Sequence, residues 1–207
     1  VEREKEITDF KQTSSYKVMG NFKEEQKKQT IKAELSKKFA TKDEALKFLQ
    51  DIVTADYKVV NIEKKPAKQS PAAPFITSTL QQEAARKLGF PVAKTMMVAQ
   101  QLYEAGHITY MRTDSVNLSD FAINTAKQEI ILSYGENYFQ YRKYANKVKG
   151  AQEAHEAIRP TYMSNHTIDA DASAKKLYDL IWKRTIASLM SDAALERTNI
   201  DIGNSKN

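Results

Sequence analysis

The sequence predicts an α+β fold in which a mainly helical block is inserted into a β-rich frame, and three observations carry that prediction. Strand-type runs lie towards both ends, helical periodicity fills the middle, and a tract with three prolines, 64–75, separates the first β-rich stretch from the helices. The expected division is 1–75 for the first segment of the frame, 76–194 for the helical block and 195–207 for a strand returning to the frame. The length of 207 residues suits one large domain or two small ones, and 41% apolar residues suffice for a core.

The elements follow in order. "SYKVMGNF" and "YKVVNIEKK" carry Tyr16, Val18, Tyr57, Val59 and Ile62 in strand-like runs. Between them a helix starts at Thr41, where Thr41 and Glu44 form a capping-box pattern ahead of apolar Ala45, Phe48, Leu49 and Ile52. "TSTLQQEAARKLGF" opens on hydroxyls suited to an N-cap, lines Leu80, Ala84 and Leu88 along one face and stops at Gly89. Pro91 opens a second helix that closes at Gly106. These two helices, followed at once by strand-like "HITYMRT", predict a winged-helix-like unit, a helix-turn-helix with a β extension. Leu118 and Ser119 begin a further helix to about Ser133. "SAKKLYDLIWKRTIASLM" is amphipathic through Leu177, Ile181, Trp182, Ile186 and Leu189, and "ALERTNIDI" returns to strand.

The formal charge of +6 is spread thinly: 16 basic against 12 acidic residues over 1–75, 14 against 12 over 76–194, and balance over 195–207. Such a chain permits a polyanionic partner without requiring one. The densest basic run, 141–150, carries Arg142, Lys143, Lys147 and Lys149 and reads as a solvated loop or helix face. The absence of cysteine excludes disulfides and thiolate zinc sites, and no stretch has the length of a membrane span or the pattern of a signal peptide. The first residues fall inside the charged pattern "VEREKEI" and the last follow directly on a strand, so both ends are expected to be cuts in a longer protein.

Chemistry concentrates in "HITYMRTDS", 107–115. On an extended strand Tyr110 and Arg112 project to one face, with Asp114 following. Tyrosine is a possible covalent nucleophile, but an ordinary phenol with a pKa of about 10 is ionised roughly once in a thousand at pH 7, a cost of about 4 kcal/mol. A guanidinium on the same face could favour the phenolate and grip a phosphate; on the spacing alone, packing at the surface or the edge of a core is the commoner reading. In "GAQEAHEAIRPT", 150–161, a helix would set His155 and Arg159 one turn apart on one face, able either to grip phosphate or to form a surface lattice with Glu153 and Glu156. Asp169 and Asp171 look like a metal-binding pair, but a helix starts directly after them, so both suit its positive N-terminal end. His107 and His166 have no partner pattern.

Three stretches, "SPAAPFITSTLQQEAARKLGF", "TMMVAQQLYEAGHITYMRTDSVNLS" and "AQEAHEAIRPT", closely resemble, in order, three signature regions of the type IA DNA topoisomerases. "ITYMRTDS", with methionine after the tyrosine, is similar to the bacterial topoisomerase I branch. The resemblance implies that Tyr110 attacks single-stranded DNA and becomes a 5′-phosphotyrosine, and that Arg112 contacts the scissile phosphate. It further implies that Asp114 orients its neighbours, that His155 contacts phosphate with Arg159 beside it, and that Gln100 contacts the cleaved strand. The frame would be an arch domain that swings to pass a strand and relax negatively supercoiled DNA, in a cytoplasmic, nucleoid-associated enzyme. Mg2+ would be held by an N-terminal Toprim domain that this sequence does not contain, so the chain alone is expected to be inactive and to offer no metal ligands of its own. Two other readings compete: a non-enzymatic winged-helix-like DNA-binding module, and a structural domain in which these motifs only pack.

Overall fold

A computed structural model describes residues 2–23, 29–144 and 155–206. The element order is α1 (Glu2–Asp9), β1 (Met19–Lys23), β2 (Thr30–Glu34), α2 (Lys42–Ile52), β3 (Tyr57–Gln69), α3 (Thr77–Leu88), α4 (Val92–Glu104), α5 (Asp120–Tyr134), a 3-10 turn, α6 (Ala172–Ser188) and β4 (Ala193–Asn204). The fold is therefore α+β. It divides into two compact units, Val1–Pro66 with Glu196–Asn207, and Ala67–Leu195.

In the first unit β1 and β2 pair antiparallel, Met19 against Glu34 and Lys23 against Thr30. The sequence does not predict β2: its alternation of Ile31 and Ala33 with Lys32 and Glu34 is short and highly charged. β3 pairs with β4, and contacts of Asp56 with Ser205, Asn61 with Asp201 and Lys64 with Glu196 run in opposite chain directions, as an antiparallel ribbon requires. A two-stranded ribbon cannot cover its own faces, and Val59, Val60 and Ile62 stay exposed. The capping box of α2 forms as the spacing predicts: the Thr41 hydroxyl accepts from the Glu44 amide, and the Glu44 carboxylate accepts from the amide of Thr41. α2 buries Ala45 and brings Phe48 against Phe39, ring centroids 5.3 Å apart.

The proline tract differs from the expected linker, because β3 continues through Pro66 to Gln69. Every strand of a two-stranded ribbon is an edge, so a residue without an N–H is tolerated on its outward side.

The second unit is built around α6, which buries Leu177, Tyr178, Ile181, Trp182, Thr185 and Ile186 and packs against α3, α4 and α5. Its polar atoms are answered inside: Trp182 Nε1 donates to the Met163 carbonyl at 2.9 Å, and the Tyr178 hydroxyl, whose pKa burial pushes up to about 12, donates to Asn165. α3 ends on Gly89 at φ 66°, where the left-handed backbone closes the last turn through bonds to Ala84 and Ala85. Asp171 caps α6 by accepting from the Ser173 and Ala174 amides, as expected; Asp169 is fully exposed and faces Lys175 at 3.7 Å. In the basic run, Arg142 is taken up by Asp192 and Gln140, while Lys147 and Lys149 lie outside the described residues.

Between α3 and α6 the described residues contain no strand, only isolated bridges. The β extension expected after α4 is thus replaced by an irregular segment. Its partners explain why. They come from the stretch before α3 and from 155–161, and each supplies one or two bonds where a ladder would need a continuous edge.

Candidate functional site

Three stretches distant in sequence are woven together around 107–117. The Thr109 amide donates to the Arg159 carbonyl and the Thr161 amide to that of His107; Ile158 donates to Phe75, and Ala157 to Asn117. Thr109 adds its hydroxyl, 2.7 Å from the Ala157 carbonyl, and accepts from the Arg159 amide at 3.0 Å. On the other side Thr77, the first residue of α3, bonds to both Met111 and Thr113. Pinned on both flanks, the segment alternates: Met111, Thr113 and Ser115 are buried, whereas Tyr110, Arg112 and Asp114 are exposed. Exposure thus alternates with the two-residue spacing, although the segment is not a strand.

Arg112, Asp114 and His155 line one open cleft of about 450 Å³, together with Thr113 and the residues Ile76, Thr77 and Ser78 at the start of α3. A guanidinium, an imidazole and the positive end of a twelve-residue helix thereby face one volume. This is a setting for an anion, with Asp114 as the one carboxylate among the described lining residues. Tyr110 is not part of that lining. It is 42% exposed, and its ring meets Tyr103 of α4 edge to face, centroids 5.3 Å apart. Gln100, one turn earlier on α4, is half-buried and donates to Glu104 at 2.6 Å.

The helix expected over 150–159 does not extend through His155. Residues 150–154 lie outside the described residues, and 155–160 is non-helical because its amides are committed to Asn117, Phe75 and Thr109. His155 and Arg159 therefore do not share a helical face. His155 is exposed in the cleft, whereas Arg159 is 9% exposed and donates to Glu156 through Nε and Nη2, at 3.1 and 2.5 Å, and through Nη1 to the Pro160 carbonyl. The other carboxylate oxygen of Glu156 accepts the Ser119 amide at 2.7 Å. Burial pushes the Glu156 carboxyl up, but the hydrogen bonds from Ser119 and Arg159 outweigh it and hold it below the ordinary glutamate range.

Sequence reasoning misses Thr77, Tyr103 and Glu156 as parts of this arrangement. The hydroxyl-rich "TST" reads as a cap alone, and Glu156 as a surface charge.

Comparisons of sequence and structure with known proteins place this fold. The family model described as DNA topoisomerase matches residues 1–207. DNA topoisomerase 1 of Streptomyces coelicolor is 52% identical over 152 residues, 71% of this chain and 16% of that protein. DNA topoisomerase 1 of Pasteurella multocida is 44% identical over 216 aligned residues, 98% of this chain and 24% of that protein. The structure of full-length topoisomerase I from Thermotoga maritima superposes with a TM-score of 0.67 at 35% identity, covering 100% of this chain and 36% of that one. The chain belongs to the DNA topoisomerase family, in its bacterial type IA branch. It spans about a quarter or less of the length of these two sequence relatives.

Proposed function

We propose that this chain supplies the nucleophile and the phosphate-binding face of a type IA topoisomerase, acting on single-stranded stretches of negatively supercoiled DNA. The observation that carries the reading is the convergence of Arg112, Asp114 and His155 on one cleft at the start of α3, with Tyr110 exposed two residues from Arg112. The Tyr110 oxygen attacks the backbone phosphorus, a Tyr–O–P bond forms and the P–O3′ bond breaks. The phenolic proton ends on the departing 3′ oxygen, directly or through solvent. One ester replaces another, so the step is reversible and needs no nucleotide; its demand is an in-line phosphate held by cations.

Arg112 and His155 hold the non-bridging oxygens while charge develops, and the start of α3 adds its dipole. Asp114 orients this pair. Gln100 contacts the strand from α4. Arg159, its guanidinium committed to Glu156, steadies the stretch that presents His155. Mg2+, implied for the family, would need a larger donor set than the described residues bring to the cleft, where Asp114 is the one carboxylate among them. Its ligands belong to a Toprim domain contributed from elsewhere, and the chain alone does not relax DNA.

The test combines this chain with a Toprim-containing segment of a type IA enzyme, Mg2+ and an internally radiolabelled single-stranded oligonucleotide. Label that survives denaturation on the wild-type chain and is absent from Tyr110→Phe supports the reading. Label on both, or on neither while a complete type IA enzyme is labelled alongside, overturns it. Oligonucleotide binding that persists without any label leaves the non-enzymatic DNA-binding module in its place.

A further inference from the structure

Arg112 sits in a segment with no β ladder, so something other than strand pairing must fix its backbone. Both peptide groups that flank its Cα are bound by a single oxygen. The Thr77 hydroxyl donates to the Met111 carbonyl at 2.8 Å, immediately before Arg112, and accepts from the Thr113 amide at 2.9 Å, immediately after it. The same hydroxyl oxygen lies 3.1 Å from the Thr113 carbonyl, which also receives the Thr77 amide at 2.9 Å. Met111 and Thr113 are buried, so these backbone groups have no water to turn to. Two pinned peptide planes leave Arg112 little freedom in φ and ψ, and the root of its side chain is thereby aimed.

We propose that Thr77 is a positioning residue for the phosphate-binding face: its hydroxyl clasps the backbone on either side of Arg112 and couples the guanidinium to the first turn of α3. This rests on the function proposed above. Threonine is not acting here as a helix cap, since Ile76 holds the cap position and the Thr77 hydroxyl bonds to Met111 and Thr113 outside the helix. A role in the helix alone would thus tolerate valine, which has the same shape and lacks only the hydroxyl.

The experiment uses this chain with a short single-stranded DNA oligonucleotide at low salt. It compares wild type, Thr77→Val and Thr77→Ser by affinity, by the NMR signals of the Arg112 side chain and His155, and by hydrogen exchange at Thr113. In the wild type the Arg112 and His155 signals shift on binding. Thr77→Ser stays within about twofold of wild-type affinity, whereas Thr77→Val weakens binding about tenfold, with faster Thr113 exchange and a lower melting temperature, since two buried backbone groups lose their partner. Wild-type shifts together with wild-type affinity in Thr77→Val overturn the clasp and leave the function standing. Wild-type binding without Arg112 or His155 shifts overturns the function, and the clasp with it. Should Thr77→Val unfold early, replacing the 112–113 amide by an ester removes the Thr113 N–H while keeping the Thr77 side chain: weaker binding supports the clasp, and unchanged binding overturns it.

Discussion

Tyr103 and Tyr110 meet edge to face, ring planes inclined by 65°, although one lies on the last turn of α4 and the other in the irregular segment beyond it. Each is about two-fifths exposed, so the contact is their shared apolar surface at the rim of the site. Tyr103→Ala is expected to cost only about 0.5 kcal/mol in stability, the low end for an aromatic pair. It should, however, collapse the ring-current shift of Tyr110 in spectra of ring-labelled tyrosine, while Tyr103→Phe preserves it. An unchanged Tyr110 signal in Tyr103→Ala would mean that the two rings do not restrain one another.

How much of this is legible in the sequence depends on whether the information is local. The capping box of Thr41 and Glu44, the stop at Gly89 and the apolar face of α6 each lie within one or two turns, and the sequence spells them out. The spacing of Tyr110, Arg112 and Asp114 likewise contains their common exposure. What it does not contain is the support. Thr77 reaches a segment more than thirty residues on, and Thr109 one about fifty residues on, so neither leaves a periodic trace. The same long-range bonds override the helix expected around His155, because an amide donating to Phe75 or Asn117 cannot also close a helical turn. Arg159 pairs with Glu156, as one of the two sequence readings allows, but its burial comes from segments that only the fold assembles.

The Glu156 carboxylate ties Ser119, the cap of α5, to Arg159. Its folded-state pKa is depressed, so its contribution is fully present above the ordinary glutamate value of 4.5 and is lost as pH falls through the lowered value. Glu156→Gln is therefore expected to lower stability by about 1–3 kcal/mol at neutral pH, the cost of leaving a mostly buried guanidinium without a charged partner and of losing one of the two oxygens that bind Arg159 and Ser119. The gap to wild type should narrow as the solution is acidified below about pH 4.5. Thermal melts of both proteins across that range measure it. A gap that stays constant would assign the loss to packing and not to the charge.

Asp169 and Asp171 resemble one another in sequence and differ in the fold. Asp171 caps α6, the helix around which the second unit is built, whereas Asp169 has only a distant, exposed lysine. Asp171→Ala should destabilise by about 1 kcal/mol. Asp169→Ala should stay within about 0.5 kcal/mol of wild type. Urea denaturation of the two variants checks both figures. Equal losses would point to a shared role that capping does not supply.

Arg112 and Tyr110 are both exposed and two residues apart, but only Arg112 lines the cleft, so the two should separate in their response to salt. Removing one phosphate-bound cation from a single-stranded complex reduces the slope of log affinity against log salt by about 0.7. Arg112→Ala should show that reduction in an oligonucleotide titration, along with weaker binding at low salt. Arg112→Lys should restore most of the slope and only part of the affinity, because an ammonium supplies charge without the planar fork that grips two oxygens at once. Tyr110→Phe removes a hydroxyl and no charge, and should leave the slope unchanged while abolishing covalent capture. If Arg112→Ala left the slope untouched, its guanidinium would not be facing the nucleic-acid backbone, and the cleft at the start of α3 would lose its assignment as the seat of the phosphate.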